Sequence, residues 1–487
     1  MVRISPVLHI LSLIIMLIGG VMLIPLGVSL YYGDQATFAF VESVLLVMLM
    51  GVGLWASTRK AAKKKELQVR DGFLLAALTW VVVPGIATLP FMLQLPGCSF
   101  TDAYFEAVSG LTTTGATVFS GLDAFPPSIN FWRCFLVWIG GMGVVVLTVA
   151  ILPLLGVGGS QALKAETPGP MKDEKLTPRI TQTAKGLWVV YTIISVACIL
   201  SLYAAGMTPF DAVIHSFSTM GLGGFSSHDA SFGHFNSPLI EAVTIVFMLL
   251  AGINFGTHYL AIAKRSFHFY RMDKEAQSFW LLMVLSCLLV AYFLWRERTY
   301  DEFFTALRFA SFNLVSIATT TGFANTDYNL WPSFAPVFMI FLSCFATCAG
   351  STGGGIKMIR AQLLVKQSYA ELKRLIHPRG QFSIQLNNQT FDKKVLYSVL
   401  AFVSLYGLTI ILCTLLMLFS GCEVVTALTA VVACINNMGP GLNQVGPATT
   451  FAVLSDFQTW ICSIAMLLGR LELFTLIVIL SPDFWRS

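Results

Sequence analysis

The chain has 487 residues, 56% of them hydrophobic and only 11% charged, with a mean hydropathy of +0.76. Soluble domains carry about 25% charged residues, so the composition excludes a soluble globular domain and reads as a polytopic membrane protein. The formal charge of +5 says less than where its lysines and arginines fall.

Apolar stretches near the roughly twenty residues needed to cross a bilayer lie at 7–31, 36–57, 73–94, 131–155, 187–205, 238–263, 277–296, 334–363, 395–420 and 457–480. The first is longer than a signal-peptide core and lacks a small-residue cleavage site, so it reads as retained. Residues 1–57 form a two-helix hairpin turning at Tyr32–Gln35.

From 71 onward one plan repeats: a span, a fourteen-residue window, a second span and a basic loop. The windows are DAYFEAVSGLTTTG (102–115), DAVIHSFSTMGLGG (211–224), FASFNLVSIATTTG (309–322) and TALTAVVACINNMG (426–439). Position two is Ala and position fourteen Gly in all four; position eight is Ser, Ser, Ser and Ala. Similarity of this kind at intervals of about a hundred residues is an internal repeat. The expected organisation is 1–70 hairpin and basic loop, then repeats 71–160, 161–268, 269–376 and 377–487. In the second window, Gly221 competes with Gly224 as the key glycine; the upstream Asp-Ala match selects Gly224.

The basic residues orient the chain. Segments 59–70, 160–186, 264–275 and 357–394 hold six, five, four and eight Lys or Arg, whereas 95–130, 206–237 and 421–456 hold none. The positive-inside rule places both termini and the basic loops in the cytoplasm and all four windows on the outer side. Basic loops that merely bind anionic lipid predict the same side, and membrane lipid is an expected partner in either case; nucleic acid is not.

Each window is too short to cross and return as helix alone. It must dip in as a half-helix and climb out as extended backbone, which is tolerated at membrane depth only where protein or an aqueous cavity satisfies it. Four such elements suggest a ring around an axis, where carbonyl oxygens can replace a cation's hydration shell. The terminal glycine supplies positive φ, and the negative C-terminal ends of the half-helices favour a cation. No carboxylate lies in the four terminal tetrads, against a ring of Asp or Glu.

With Thr112–Gly115, Gly-Gly-Phe-Ser (223–226), Thr319–Phe323 and Asn-Asn-Met-Gly-Pro-Gly (436–441) in this order, the chain resembles the Trk/Ktr/HKT potassium transporter superfamily, closest to its bacterial Trk-type transmembrane subunits. The resemblance covers essentially the whole chain. It implies an all-α membrane protein with four pseudo-symmetric helix–pore loop–helix repeats around a central pore, plus the N-terminal hairpin. It further implies potassium uptake across a bacterial inner membrane, a homodimer with a pore in each protomer, and a cytoplasmic nucleotide-binding ring subunit as regulator. The filter residues it implies are Thr113, Thr114 and Gly115; Gly223 and Gly224; Thr320, Thr321 and Gly322; and Asn437, Met438 and Gly439. Potassium there is the transported ion and the only metal expected, with no covalent cofactor. The fourth strand departs from Thr-Thr-Gly.

Gly350, Ser351, Thr352, Gly353, Gly354 and Gly355 interrupt the third inner span. Glycine costs about 1 kcal/mol against Ala within a helix, so this run should unwind. It reads either as close helix packing by small residues or as a loop obstructing the pore below the filter; the resemblance points to a gate. Ile356 before Lys357 breaks the phosphate-loop pattern G-x-x-x-x-G-K-[ST]. Arg470 lies eleven residues from the inner end at Ser481, about 16 Å at helical rise, where an arginine costs at least about 2.5 kcal/mol. It is either structural, bonded to a neighbouring helix's carbonyls, or a charge in the pore that slows potassium; the resemblance supports the latter. Glu472 is a poor intrahelical partner for it.

His258, four residues after Asn254, reads as a packing histidine rather than a proton relay. Glu106, at window position five with counterparts His215, Asn313 and Ala430, reads as an anchor for its half-helix. Cys344 and Cys348 lack further zinc ligands, and no catalytic set stands out. An intramembrane enzyme has little support. A symporter coupled to protons or sodium usually shows inverted repeats, whereas these four enter from one side. The loops 160–186 and 357–394, the longest and most charged, are the expected docking surface.

Overall fold

The structure, a computed structural model, describes residues 4–62, 69–146, 180–386 and 389–486. The protein is an all-α polytopic membrane protein; a two-residue antiparallel pair, Gln385–Leu386 with Gln389–Thr390, decorates one loop. Among the described residues six helices are long and apolar enough to cross a membrane, or up to eight if each bent pair is one span.

Helices Ile4–Val21 and Leu23–Tyr32 run as one span beside Thr37–Ala62. Gly51 permits their close approach: a Cβ there would sit 2.5 Å from Met16 Cγ. Asp34, in the turn, accepts from the backbone N–H of Ala36 at 3.1 Å and of Ser128 at 3.0 Å and from the Ser29 hydroxyl. This turn fastens the hairpin to the first repeat.

Each later unit has an outer helix, a short window helix and an inner segment. The outer helices are Val69–Ala87 continued by Leu89–Gln94, then Ile180–Ala204, Lys274–Arg296 and Lys393–Phe419. The window helices are Phe100–Leu111, Pro209–Gly221, Phe303–Ala318 and Val424–Ile435. They are buried on nearly every side, polar positions such as Glu106, His215 and Asn313 included. One large buried cluster unites the second and third units; another unites the hairpin with the first and fourth.

The inner segments depart most from a straight-span reading. Pro127–Val146 is one helix, and the rest of stretch 131–155 lies outside the described residues. Stretch 238–263 divides into Pro238–Ala251 and Phe255–Ala263, bent by 94°. Gly252 and the N-cap Asn254, whose side chain accepts from Gly256 N–H at 2.8 Å, make that break. Stretch 334–363 is helical over Phe334–Ser343 and again from Met358, where an amphipathic helix, Met358–Ile376, begins after the glycine-rich run. Stretch 457–480 divides into Asp456–Arg470 and Phe474–Leu480, bent by 112°, with Glu472 and Leu473 at positive φ. Counting helical rise from Ser481 therefore does not measure the depth of Arg470: the helix ends at that residue.

Candidate functional site

The four window helices end alike, and three of them begin with a side-chain cap; Glu302, at the start of the third, makes none. Ser99 and Thr208 each accept from the backbone N–H three residues on, at Asp102 and Asp211, and donate back to those carboxylates at 2.7 Å. Glu423 caps the fourth helix through Thr426 N–H at 3.0 Å. The Ser/Thr-x-x-Asp spacing is a helix-start signal visible in the sequence itself.

At the other end, the N–H of position twelve donates to the carbonyl of position nine, and that of position thirteen to position eight. The pairs are Thr113–Gly110 and Thr114–Ser109; Leu222–Thr219 and Gly223–Ser218; Thr320–Ile317 and Thr321–Ser316; Asn437–Cys434 and Met438–Ala433. This is the Schellman ending, which needs a left-handed residue at position twelve. Here Thr113, Leu222, Thr320 and Asn437 take it, with φ of 55°, 54°, 63° and 52°. A β-branched residue in that region is a strained outlier. Gly115, Gly224, Gly322 and Gly439 follow two residues later, also at positive φ, whereas Gly221 is the last residue of its helix.

The glycines close a ring. A Cβ on Gly115 would lie 2.3 Å from Gly223 O, on Gly224 2.4 Å from Thr321 O, on Gly322 2.3 Å from Met438 O, and on Gly439 2.9 Å from Thr114 O. Each strand thus meets the next in chain order and the fourth meets the first, always glycine against the carbonyl of position thirteen. Gly115, Gly224 and Gly322 open with Pro440 into a vestibule of about 200 Å³.

Position five braces the ascending strand in three repeats. Glu106 accepts from Val118 N–H at 3.1 Å and pairs with Arg133 at 2.7 Å, both side chains fully buried. Arg133 also donates to Ser226 O at 3.0 Å, linking the first strand to the second. His215 bonds Ser226 Oγ at 2.8 Å, and Asn313 donates to Asn325 Oδ1 at 2.6 Å. At Ala430 the neighbouring Thr429 hydroxyl substitutes, accepting from Leu442 N–H at 3.0 Å. Arg133 leaves only a faint signal in the sequence, a lone cation inside an apolar stretch.

Beneath the ring lies the glycine-rich run. Thr352 donates to Met220 O at 2.9 Å, and Gly354 N–H donates to Thr320 Oγ1 at 2.9 Å. Cβ atoms on Gly353 and Gly354 would lie 3.1 Å from Thr319 O and 1.9 Å from Asn436 O. The run therefore sits against the ends of three window helices. Gly350 O accepts from Phe255 N–H at 3.0 Å, while Ser351 bonds back to Cys348 O. Glu275 Oε1, unremarked in the sequence, accepts from Ala349 N–H at 2.9 Å and Ile359 N–H at 3.1 Å, pinning both flanks.

Arg470 is brought to this run. It is 4% exposed and donates through Nη1 to Thr352 O at 2.9 Å, while Nε and Nη2 have no hydrogen-bond partner among the described residues. Glu472 is engaged elsewhere, with Arg360 at 2.7 Å. Lys357 joins Arg470 in lining the small cavity below the run and donates to Gly353 O. His258 is a buried packing residue, bonded to Tyr270 Oη at 2.6 Å and Leu250 O at 2.8 Å.

At the vestibule rim, His228 stands between Asp123 and Asp211. Burial opposes its charge, but the neighbouring carboxylates of Asp211 and Asp123 outweigh that and hold its pKa above the ordinary imidazole value. Asp123 and His228 belong to different repeats, which is why no linear spacing revealed the pair.

Comparison with known proteins agrees with this architecture. The family described as TrkH, cation transport protein, matches residues 36–295 and 303–487. Trk system potassium uptake protein TrkH of Salmonella typhimurium is 45% identical over 98% of this chain and 99% of its own. Its Escherichia coli namesake is 44% identical over the same shares, and TrkG of E. coli is 39% identical over 98% of each. The crystal structure of the potassium transporter TrkH from Vibrio parahaemolyticus superposes with a TM-score of 0.91 at 42% identity, covering 99% of this chain and 100% of that one. The chain belongs to the TrkH family of cation transport proteins.

Proposed function

We propose that the chain takes up potassium across a cell membrane through a selective, channel-like pore bounded by the four window strands. The observation that carries this reading is the ring of glycine-to-carbonyl approaches, closed in chain order and opening into a vestibule. Paired left-handed residues at positions twelve and fourteen alternate the peptide planes, which lets carbonyl oxygens of Thr113, Thr114, Gly223, Thr320, Thr321, Asn437 and Met438 face the axis and replace a potassium ion's water. Gly115, Gly224, Gly322 and Gly439 are the residues that let adjacent strands come that close. The helix C-termini below add a negative field. The relatives' name, potassium uptake protein, supports the choice of ion.

In this reading residues Gly350–Gly355 form a gate under the filter, held shut by Thr352, Gly354 and Arg470. The vestibule faces outward and both termini are cytoplasmic, in a bacterial inner membrane. The relatives' designation as parts of a Trk system supports a multi-component assembly; in this reading it is a homodimer, with a nucleotide-binding ring subunit docked on 160–186 and 357–394. Residues 160–179 of that surface lie outside the described structure. Deleting or neutralising both loops should abolish docking; unchanged docking would reassign the surface.

The filter is tested by Gly115→Ser, Gly224→Ser, Gly322→Ser and Gly439→Ser. Each places atoms against the next strand's carbonyl and should lower the potassium-to-sodium permeability ratio in protein that still inserts. An unchanged ratio in all four would remove the assignment.

A further inference from the structure

We propose that Asp123, His228 and His234 form a binding site for a transition-metal dication such as Zn²⁺ at the rim of the vestibule. One ligand atom from each of the three residues lies within 4.8 Å of the others. Two imidazoles and a carboxylate, leaving a fourth position for water, suit zinc and its neighbours. This nitrogen-rich set does not suit potassium, so the site is separate from the filter in chemistry as well as place.

Its construction is what distinguishes it from a chance surface cluster. His228 Nδ1 lies 2.5 Å from Asp123 Oδ1, and a metal would take the place of the proton between them. On the far side of the ring, Nε2 lies 3.3 Å from Asp211 Oδ1. A carboxylate behind an imidazole is the usual means of orienting a metal-bound histidine. Asp211 is itself fixed by Ser227 Oγ at 3.1 Å and by Thr208 at 2.7 Å.

The two loops are also cross-braced. Asp123 Oδ2 accepts from Asp229 N–H at 3.2 Å, and the Asp229 carboxylate accepts from Gly121 N–H at 3.0 Å and Leu122 N–H at 3.2 Å. His234 is exposed and stacked on His228, with ring centroids 3.5 Å apart and planes 4° apart. Parallel rings do not aim their lone pairs at one point, so His234 must turn about its side-chain bonds to close the site. Tetrahedral ligands on zinc sit about 3.4 Å apart, so His234 must move in while His228 Nδ1 and Asp123 Oδ1, at 2.5 Å, part by about 0.9 Å; the exposed Asp123 and His234 side chains can supply both movements.

His228 lines the same cavity as Gly115, Gly224 and Gly322. A dication held there would repel potassium approaching the filter. That consequence rests on the pore reading; the binding site does not.

The test uses the full-length protein in lipid nanodiscs. Zn²⁺ is titrated by calorimetry and Co²⁺ by its visible absorption, beside His228→Ala, His234→Ala and, as a control, the exposed His268→Ala. We expect saturable binding of one ion per chain and a tetrahedral Co²⁺ spectrum. Affinity should fall at least about tenfold in each ligand variant and about tenfold in Asp211→Asn, and stay unchanged in His268→Ala. Because His234 is exposed, its variant keeps the comparison valid even if His228→Ala fails to fold. Absence of saturable binding, or binding unchanged in His234→Ala, overturns the site. If Zn²⁺ binds as expected yet leaves potassium flux undiminished, the site stands and the pore reading is what fails.

Discussion

Arg470→Ala separates a gating role from a structural one. In the structure the guanidinium makes one hydrogen bond, to Thr352 O at 2.9 Å, and leaves Nε and Nη2 without partners among the described residues. A bond to a charged group contributes about 1.5–3 kcal/mol. If that energy holds the glycine-rich run closed, its loss multiplies the open population by roughly 10–150-fold, at about 1.4 kcal/mol per factor of ten. Folding should suffer little, because a buried charge with two unpaired donors is itself costly to bury. Arg133→Ala is the contrast. It breaks a fully buried pair with Glu106 at 2.7 Å and a bond to Ser226 O, so it should cost about 3–5 kcal/mol of stability. The assay is potassium flux in proteoliposomes together with thermal melting in detergent. Arg470→Ala should conduct more and melt near the wild-type temperature, whereas Arg133→Ala should melt well below it. Equal or smaller flux in well-folded Arg470→Ala would refute the gating role and make the arginine structural.

Two packing glycines give a second test: a Cβ on Gly140 would lie 1.9 Å from Leu111 O and on Gly469 2.0 Å from Ile435 O. Gly140→Ala and Gly469→Ala should each lose about 1–3 kcal/mol by overpacking. Gly143→Ala, with nothing among the described residues within 4 Å of the added Cβ, should be neutral or slightly stabilising in a melting assay. The turn at Asp34 predicts a pH dependence. Burial opposes its charge, but hydrogen bonds with Ser29, Ser128 and Ala36 prevail and hold its pKa below the ordinary carboxylate value. The stability it contributes is complete above the unfolded pKa of about 3.9 and is lost as pH falls through the lower folded value. Wild-type stability should therefore drop below about pH 4, and Asp34→Asn should be less stable at neutral pH with a flatter acid profile; identical profiles would remove that role.

The windows were legible in the sequence because their constraint is local: a buried helix, a left-handed stop and a glycine occupy consecutive residues. The unwinding at 350–355 was legible for the same reason, as glycine acts on its own backbone. The bend after Arg470 was not. Nothing in Leu471-Glu472-Leu473 disfavours helix, and positive φ at Glu472 and Leu473 accompanies the Arg360 ion pair and the burial of Leu473. Tertiary contacts override propensity there. The bend at 252–254 left a partial signal in Gly252 and Asn254. The strain at Thr113 and Thr320 escaped notice because threonine is a poor predictor of left-handed backbone. Glu106–Arg133, the Glu275 clamp and the Asp123–His228 contact join residues far apart in the chain, and a single sequence does not encode such pairings legibly.

The central claim, a potassium-selective pore rather than a coupled carrier, is tested most directly by the reversal potential of currents through the purified protein in planar bilayers. With potassium, sodium and proton gradients set independently, reversal should follow the potassium Nernst potential and ignore the other two. A reversal displaced systematically by the proton or sodium gradient would contradict the account and favour symport.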